Sequence, residues 1–331
     1  MRRISAIAVL VGVVVSGCAI GPAPDSDPGS DYPARGIAIL APGSTGGGWD
    51  TRARGMEDAL TRCGVISEDV TVTNTPGAGG TIGLAAFVTK QGDPHQLMVM
   101  DTMTMLGGIV RNHSPIDLAT LTPIAGLTES VGAILVPAGS RYTDLRALLA
   151  DMKVDPQAIS WVGGSLGGPD HIAVAALADA DGIPVNRINY VPTGGGGEAT
   201  SLLLSGASTA GIGTLAELKG QIAAGELRVL AITNSAERIA GIDAPTLVEL
   251  GYGAANLASR GGVLAPPGLA EEQQQAIVDM VATMRDTECW RETLRQNNWA
   301  DGWLPGDDFG RLIVEHRDRV TAILTELGLT A

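Results

Sequence analysis

Two glycine-rich turns carry the residue types in this sequence that are best suited to chemistry. Residues 74–83 are Asn-Thr-Pro-Gly-Ala-Gly-Gly-Thr-Ile-Gly, between an apolar alternation and a helical pattern. Residues 42–50 have the same arrangement, and a second helical pattern starts at Thr51. Such turns leave backbone N–H groups unpaired at a helix start, where the helix dipole favours negative charge. Together they predict a site for a small polyanion.

A third turn, residues 163–167, matches the G-x-S-x-G pattern of a nucleophile elbow, with Ser165 as the nucleophile. That chemistry needs a base and an acid later in the chain. His171 follows too closely to turn back on its own elbow, and His316 lies on the apolar face of a helix. We therefore interpret the turn as ligand-binding, and a secreted serine hydrolase using Ser165 is the alternative.

Residues 77–83 also approach a dinucleotide-binding fingerprint, and Asp101 ends the next strand as a ribose-binding acid would. The pattern G-x-G-x-x-G requires glycine where Ile82 stands, and the turn follows the second strand rather than the first. Residues 42–50 lack the lysine of a phosphate-binding loop. We predict no cofactor, and with four histidines and no metal-type cysteine spacing we predict no metal site.

Further polar residues lie at predicted strand ends and helix starts. Residues 193–197 form a fourth glycine turn after a strand pattern. Asp170 and His171 open a helix, either as a capping pair or as groups that reach across a cleft, and the sequence leaves both open. Trp49 is either a hydrophobic staple or a wall of the ligand pocket. Asp50 is predicted to cap its helix, because an exposed carboxylate would repel an anion.

The N-terminus predicts export. Two arginines precede the apolar residues 4–15, which are too few to span a bilayer as a helix. The following Val-Ser-Gly-Cys resembles the lipobox of bacterial lipoproteins, and an ordinary secretory signal is the alternative. We predict a signal peptide over residues 1–17, lipidation at Cys18, a flexible tether over 18–33, and an extracytoplasmic protein anchored to the outer face of the cytoplasmic membrane.

Composition limits the class of ligand and partner. The 331-residue chain has a formal net charge of −14, which disfavours nucleic acid and gives an anion no long-range attraction. An anion site must therefore depend on short-range hydrogen bonds. In an oxidising compartment Cys63 and Cys289 either form a disulfide or are two separate buried thiols, and the sequence leaves this open.

Strand and helix patterns alternate, which is typical of α/β proteins with parallel sheets covered on both faces. The length predicts two lobes, with crossover strands near residues 121–127 and 227–233. We expect lobe 1 to comprise residues 34–127 and 228–331, and lobe 2 to comprise 128–227. Strands are predicted near 36–41, 69–74, 96–101, 121–127, 131–136, 158–163, 186–191, 208–212, 227–233 and 261–265. Helices are predicted near 50–63, 80–91, 102–111, 143–153, 170–181, 195–205, 214–224, 245–250, 269–286, 287–297 and 306–327.

In this order the turns resemble those of the extracytoplasmic solute-binding proteins of tripartite tricarboxylate transporters, the TctC or Bug family. The resemblance covers nearly all of the chain after the tether. It rests on residues 41–54, 74–83, 121–125, 163–171, 189–198, 230–233 and 244–246. It implies a two-lobed periplasmic-binding-protein (type II, venus-flytrap) α/β fold with two hinged parallel-type sheets, and it implies no catalysis.

The resemblance also implies how a carboxylate is held, through backbone N–H groups, hydroxyls and bridging waters from both lobes. Ser44-Thr45 and Thr193 depart from the residues usual in the family, which puts the identity of the ligand in doubt. Trp49 and His171 complete the predicted set. The family contacts fall on Ser44, Thr45, Gly46, Gly47, Thr81, Thr102, Ser165, Leu166, Gly167, Gly168, Thr193, Gly194 and Gly195.

The implied function is capture of a di- or tricarboxylate, citrate-like by branch, and its delivery to the membrane permease subunits of the transporter. We expect a monomer that closes by a hinge motion. A sensor that presents its liganded form to a signalling partner would use the same closed surface and is a further alternative.

Overall fold

The structure, a computed structural model, describes residues 32–193, 196–235, 237–257 and 259–330. The predicted signal peptide, Cys18 and all but the end of the tether lie outside these residues. Within them, none of the helices combines the length and apolar character needed to cross a bilayer. The strands are β1 (Ile37–Ala41), β2 (Val70–Asn74), β3 (Gln96–Asp101), β4 (Thr122–Glu129), β5 (Gly132–Pro137), β6 (Ser160–Gly163), β7 (Asn189–Pro192), β8 (Ala210–Thr214), β9 (Leu227–Thr233), β10 (Arg260–Ala265) and β11 (Ala300–Pro305).

The helices lie close to the predicted ranges, since most begin after a glycine turn or a capping residue that the sequence makes visible. Asp101 and Asp144, for example, each accept a hydrogen bond from a backbone N–H in the first turn of the helix that follows. The helices are α1 (Gly48–Thr61), α2 (Thr81–Val88), α3 (Thr102–Arg111), α4 (Leu145–Val154), α5 (Pro169–Ala180), α6 (Gly196–Leu204), α7 (Leu215–Ala223), α8 (Glu271–Arg285), α9 (Glu288–Asn297) and α10 (Gly306–Glu326).

The strands form two sheets, which confirms the predicted two-sheet α/β architecture. The first sheet has the order β11-β4-β10-β3-β1-β2 and the second has the order β7-β6-β8-β5-β9. Both sheets are mixed rather than parallel throughout. In the first, β10 pairs antiparallel with β3 and β4, and in the second, β5 pairs antiparallel with β8 and β9. β5 and β10 are the first strands after the two connections between the sheets.

The strand directions bring particular ends together. Gly261 at the start of β10 lies opposite Asp101 at the end of β3. In the second sheet, Gly132 at the start of β5 lies opposite both Thr214 and Thr233, which end β8 and β9. Each sheet therefore gathers the carboxyl ends of its parallel strands, and the starts of its reversed strands, at one edge.

The chain moves from the first sheet to the second directly after β4, through Ser130 and Val131. The return comes later than expected. β9 pairs with β5 in the second sheet, so the chain rejoins the first sheet between residues 234 and 259 and not at residue 228. The apolar pattern of 227–233 marks a strand but carries no information on which sheet it joins, since both sheets bury such residues.

Two other elements differ from the predictions. Residues 245–250 are not a helix, because Thr246 forms a parallel bridge with Ile232 and a turn follows. β11 was not predicted, since its glycine and proline mask any alternation, and it adds to the edge of the first sheet against β4. The largest core cluster takes residues from both sheets, such as Met98 of β3 and Ile134 of β5, together with Phe309 of α10. The two sheets therefore share apolar packing beside the connecting segments.

Candidate functional site

Two adjoining cavities lie at the gathered strand ends, between the two sheets. One has a volume of about 280 Å³ and the other about 450 Å³. This is the position at which open α/β sheets bind ligands, outside the carboxyl ends of their strands. Both cavities are lined by Asp101, Thr104, Ser130, Thr214 and Glu217.

The first glycine turn lies on the wall of the larger cavity. Ser44 and Gly47 line it, and the backbone N–H of Gly47 donates to the carbonyl of Ser44 at 3.0 Å. The helix α1 begins at Gly48, which lines the cavity, and no side chain among the described residues caps its first N–H groups. Thr45 and Gly46 lie in the same exposed turn. The turn thus brings backbone N–H groups to the cavity wall, and their contact with an anion stays a prediction.

The prediction that Asp50 caps α1 is wrong, because the helix begins after Gly47 and no side chain in the described part of the chain caps it. Oδ2 of Asp50 accepts from the N–H of Gly46 at 2.7 Å and from Nε of Arg54 at 3.1 Å. Burial opposes ionisation of this carboxyl, but these two donors lower the pKa of Asp50. The carboxylate therefore holds the turn in shape from within instead of facing the ligand.

Trp49 lines the larger cavity and also joins the first two turns. A Cβ atom at position 43 would lie 2.9 Å from its indole, and a Cβ at position 80 would lie 2.8 Å from it. Gly80 also has a φ of 93°, which favours glycine. Trp49 therefore packs between the first two turns and also lines the larger cavity.

The second glycine turn packs against α3 instead of lining either cavity. A Cβ atom at Gly79 would lie 2.8 Å from the Cα of Gly108. The hydroxyl of Thr81 donates to the carbonyl of Ala78 at 3.0 Å. Thr102 is fully buried, and its hydroxyl accepts from the N–H of Arg260 at 3.1 Å. Neither predicted hydroxyl lines these cavities, and each is hydrogen-bonded to a backbone group.

Hydrogen bonds to neighbouring residues hold the turn of residues 163–168 in place. The N–H of Gly164 donates to Oδ2 of Asp170 at 2.8 Å, and its carbonyl accepts from the hydroxyl of Tyr190 at 3.0 Å. The N–H of Gly168 donates to the carbonyl of Ser165. From the first lobe, Arg111 donates to the carbonyl of Leu166 at 2.8 Å. Gly164 lines the smaller cavity, whereas Ser165, Leu166, Gly167 and Gly168 line neither.

His171 lies beneath this turn and supports it. Its Nδ1 accepts from the N–H of Gly167 at 3.0 Å, and its ring stacks on Tyr190 with centroids 4.2 Å apart. Burial, with Arg111 nearby, lowers the pKa of His171 to about 4, so the ring is neutral. Thr193 is likewise buried, with its hydroxyl donating to the carbonyl of Gly163 at 2.7 Å. Gly194 and Gly195 lie outside the described residues.

Ser165 shows no arrangement for nucleophilic attack. Its hydroxyl makes no hydrogen bond to any side chain among the described residues, and Nδ1 of His171 is taken by Gly167. An activated serine needs a base within hydrogen-bond reach. Among the described residues Ser165 therefore has no base within reach, and because residues 165–168 line neither cavity, ligand binding by this turn also stays a prediction.

Three carboxylates face the cavities. Asp101 accepts from the N–H and hydroxyl of Thr104 and from the hydroxyl of Ser259. Burial raises the pKa of Asp170 to about 6, against the lowering effect of its bond from Gly164. Glu217 is exposed at the start of α7. Asp101 ends β3 of the first sheet, whereas Asp170 and Glu217 lie on the second-sheet side of the cleft, so the cleft has carboxylates on both sides.

A buried arginine lies on the opposite wall. Arg52 of α1 lines the larger cavity, is only 3% exposed, and has its guanidinium carbon 5.1 Å from the ring centroid of Trp299. None of the ion pairs among the described residues involves it, and Asp101 is the charge that acts on it. The sequence did not predict a cation in the site, because Arg52 stands within a helix and not in a turn.

Several cavity-lining residues that were not predicted as site residues share a feature that the sequence shows. Asp101, Ser130, Thr214 and Asn234 each end or directly follow a strand, where open α/β sheets place ligands. Asn234 has a φ of 60°, and its Nδ2 donates to the carbonyl of Ser130 at 3.2 Å. This bond joins the two segments that connect the sheets, at the base of the cleft.

Cys63 and Cys289 form a disulfide with a Cα–Cα distance of 6.2 Å. The bond joins the segment just after α1 to the start of α9. It resolves the alternative that the sequence left open. Because α1 carries Trp49 and Arg52, the disulfide also restrains the helix that supplies one wall of the site.

The fold and the cleft together define a two-lobed solute-binding protein. The sequence model of the tripartite tricarboxylate transporter family receptors matches residues 53–329, and the chain belongs to this family of extracytoplasmic binding proteins. It is 28% identical to protein BugT of Bordetella pertussis over 271 residues, covering 81% of this chain and 80% of BugT.

Solved structures show the same fold. A TctC solute-binding protein from Polaromonas, solved without ligand, has a TM-score of 0.79 and 25% identity, covering 90% of this chain and all of that one. MatC from Rhodopseudomonas palustris with bound malate has a TM-score of 0.65 and 20% identity, covering 88% and 100% of the two chains. A second R. palustris protein, solved with adipate, has a TM-score of 0.65 and 22% identity, covering 90% and 99%.

Proposed function

We propose that this protein captures a small organic carboxylate outside the cytoplasmic membrane and delivers it to the permease subunits of a tripartite tricarboxylate transporter. The observation that carries the proposal is the cleft at the strand ends of both sheets, with uncapped helix N–H groups and a buried guanidinium on one wall. The malate and adipate of the neighbouring structures are of the same chemical class. Anchoring through a lipid on Cys18 and action as a monomer are parts of the same proposal.

The carboxylates of the cleft favour a ligand with few negative charges. A citrate-like tricarboxylate remains within the proposed range, but it would bring three negative charges close to Asp101, Asp170 and Glu217. A dicarboxylate or hydroxy acid with fewer charges meets less repulsion at equal size. We therefore rank dicarboxylates above tricarboxylates as candidates.

Ligand titration tests the proposal directly. Citrate, malate, succinate and adipate are each added to the purified protein, and the melting temperature and heat of binding are measured. At a concentration of a hundred times Kd, a ligand that binds only the folded protein adds about 2.7 kcal/mol to the free energy of unfolding. A rise in melting temperature with at least one of the acids is expected, and no response to any of them contradicts the proposal.

The same material tests the hydrolase alternative. The parent protein and Ser165→Ala are assayed with a chromogenic ester. We expect neither to hydrolyse it above the rate of the buffer. Hydrolysis by the parent that disappears in Ser165→Ala would instead support the hydrolase.

A further inference from the structure

Arg52 is the buried cation of the cleft, and its surroundings use only part of its hydrogen-bonding capacity. Its Nε donates to the hydroxyl of Thr128 at 3.1 Å and its Nη2 donates to the same oxygen at 3.0 Å. Its Nη1 donates to the carbonyl of Met100 at 3.2 Å. A guanidinium has five N–H donors. One N–H on each terminal nitrogen therefore has no partner among the described residues.

The fold reserves the space for this guanidinium. A Cβ atom at Gly261 would lie 2.0 Å from Nη2 and 2.1 Å from the guanidinium carbon. Gly261 belongs to β10 between β3 and β4, so only a residue without a side chain lets Arg52 cross the end of the sheet. Thr128, Met100 and Trp299 fix the group from three sides. The guanidinium is thus preorganised at the wall of the cavity.

The charge of Arg52 is not fully matched by the protein. A buried cation normally has a carboxylate in contact with it, because leaving water costs several kcal/mol. Asp101, the carboxylate that acts on Arg52, is occupied by Thr104 and Ser259 and forms no ion pair with it. A ligand carboxylate in the larger cavity would supply the missing negative charge.

We infer that Arg52 binds a carboxylate group of the ligand directly and makes the site selective for carboxylates over their neutral amides. The inference rests on the proposed function. Planar carboxylates match the paired donors of a guanidinium, and such charge-assisted bonds are stronger than those from neutral donors. The exposed N–H groups at the start of α1 lie in the same wall and would hold the same group.

The test measures binding of the tightest acid of the panel, and of its amide, by Arg52→Met, Arg52→Lys and the parent. We expect Arg52→Met to weaken binding of the acid by about tenfold or more, with little change for the amide. Arg52→Lys keeps the positive charge but loses the paired N–H donors of the guanidinium, so its affinity for the acid should lie between those of Arg52→Met and the parent. Arg62→Met removes one positive charge just after the same helix, away from the cleft, and should bind as the parent does.

Gly261→Ala gives an independent reading because it keeps Arg52 and displaces its guanidinium. It should also weaken the acid more than the amide, and together with Arg52→Lys it decides the question if Arg52→Met does not fold. The inference is wrong if Arg52→Met melts at a lower temperature but binds the acid within about twofold of the parent, since Arg52 then only stabilises the fold. The same result for both Gly261→Ala and Arg52→Lys has the same meaning if Arg52→Met does not fold. A parent that binds none of the acids overturns the proposed function, and the inference with it.

Discussion

At the scale of single residues, the groups that face the ligand and the groups that hold the site in shape are different. Three polar residues in or beside the glycine turns each hydrogen-bond to a backbone group of a turn and so help to hold its shape. They are Asp50, His171 and Thr193. Arg52 and Glu217 stand inside helices and line the cavities. Position beside a glycine turn is therefore a poor guide to whether a side chain meets the ligand.

His171 should make the stability of the fold depend on pH. Its pKa is about 4 in the folded protein, below its ordinary value of 6.5, so the unfolded chain takes up a proton first as the pH falls. Its contribution to stability is complete above about pH 6.5 and is lost toward pH 4. Urea denaturation should show a loss of about 2 kcal/mol from this residue between about pH 7 and pH 5.

Two variants isolate that contribution. His171→Asn should flatten the pH dependence over this range. Asp170 acts in the opposite sense, because its raised pKa of about 6 lets the folded protein bind the proton first, and stability falls as the pH rises toward 6. Asp170→Asn should therefore steepen the loss on acidification. An unchanged pH profile in His171→Asn would contradict the role assigned to its neutral ring.

At the scale of elements, α1 has the most connections to the site. Its start carries the first glycine turn, its middle carries Arg52, and its end is joined by Cys63 to Cys289 of α9. The turn of residues 163–168 has a comparable support in α5 and β7. Each of these two glycine turns is thus held by the helix that follows it, although only Gly164 of the second turn lines a cavity.

Reduction of the disulfide should weaken both the fold and the site. The bond closes a loop between residues that are 226 positions apart, and chain entropy gives about 5 kcal/mol as the contribution of such a loop. Reductant should lower the melting temperature and, by loosening α1, weaken binding of the acid. The Cys63→Ser, Cys289→Ser double variant is the control, and reductant should leave it unaffected. Equal melting of the oxidised and reduced parent would show that the bond does not restrain the fold.

At the scale of the whole molecule, a strongly acidic protein is proposed to bind an anion. The net charge of −14 and the three carboxylates of the cleft oppose this, while Arg52 and the helix N–H groups act at short range. Salt screens distant charges more than groups in a cleft. Charge balance inside the cleft should therefore decide which acid binds.

Glu217→Gln should shift the preference among acids. Removing this negative charge from the cleft should tighten binding of citrate several-fold, and binding of succinate less, because the repulsion grows with the charge of the ligand. Titration calorimetry with both acids measures the difference. Glu226→Gln makes the same change in net charge at an exposed residue that lines neither cavity and should leave both affinities unchanged. Equal effects of the two variants would show that only the overall charge matters.

The pattern along the chain was sufficient for most of the elements and for the family. Strand alternation and glycine turns are local features, so β3 and α3 were predicted with the bounds that the structure shows. The first glycine turn was also assigned to the site, because the donors at a helix start come from neighbouring residues.

Only the tertiary structure decided which of these groups meet. The sheet that β9 joins, the packing of residues 77–83 on α3, and the meeting of Arg52 with Gly261 depend on residues far apart in sequence. An apolar strand can be buried equally well in either sheet, and a glycine can admit a ligand or a neighbouring helix. Local pattern does not distinguish these outcomes, since the difference in free energy lies in the contacts between elements.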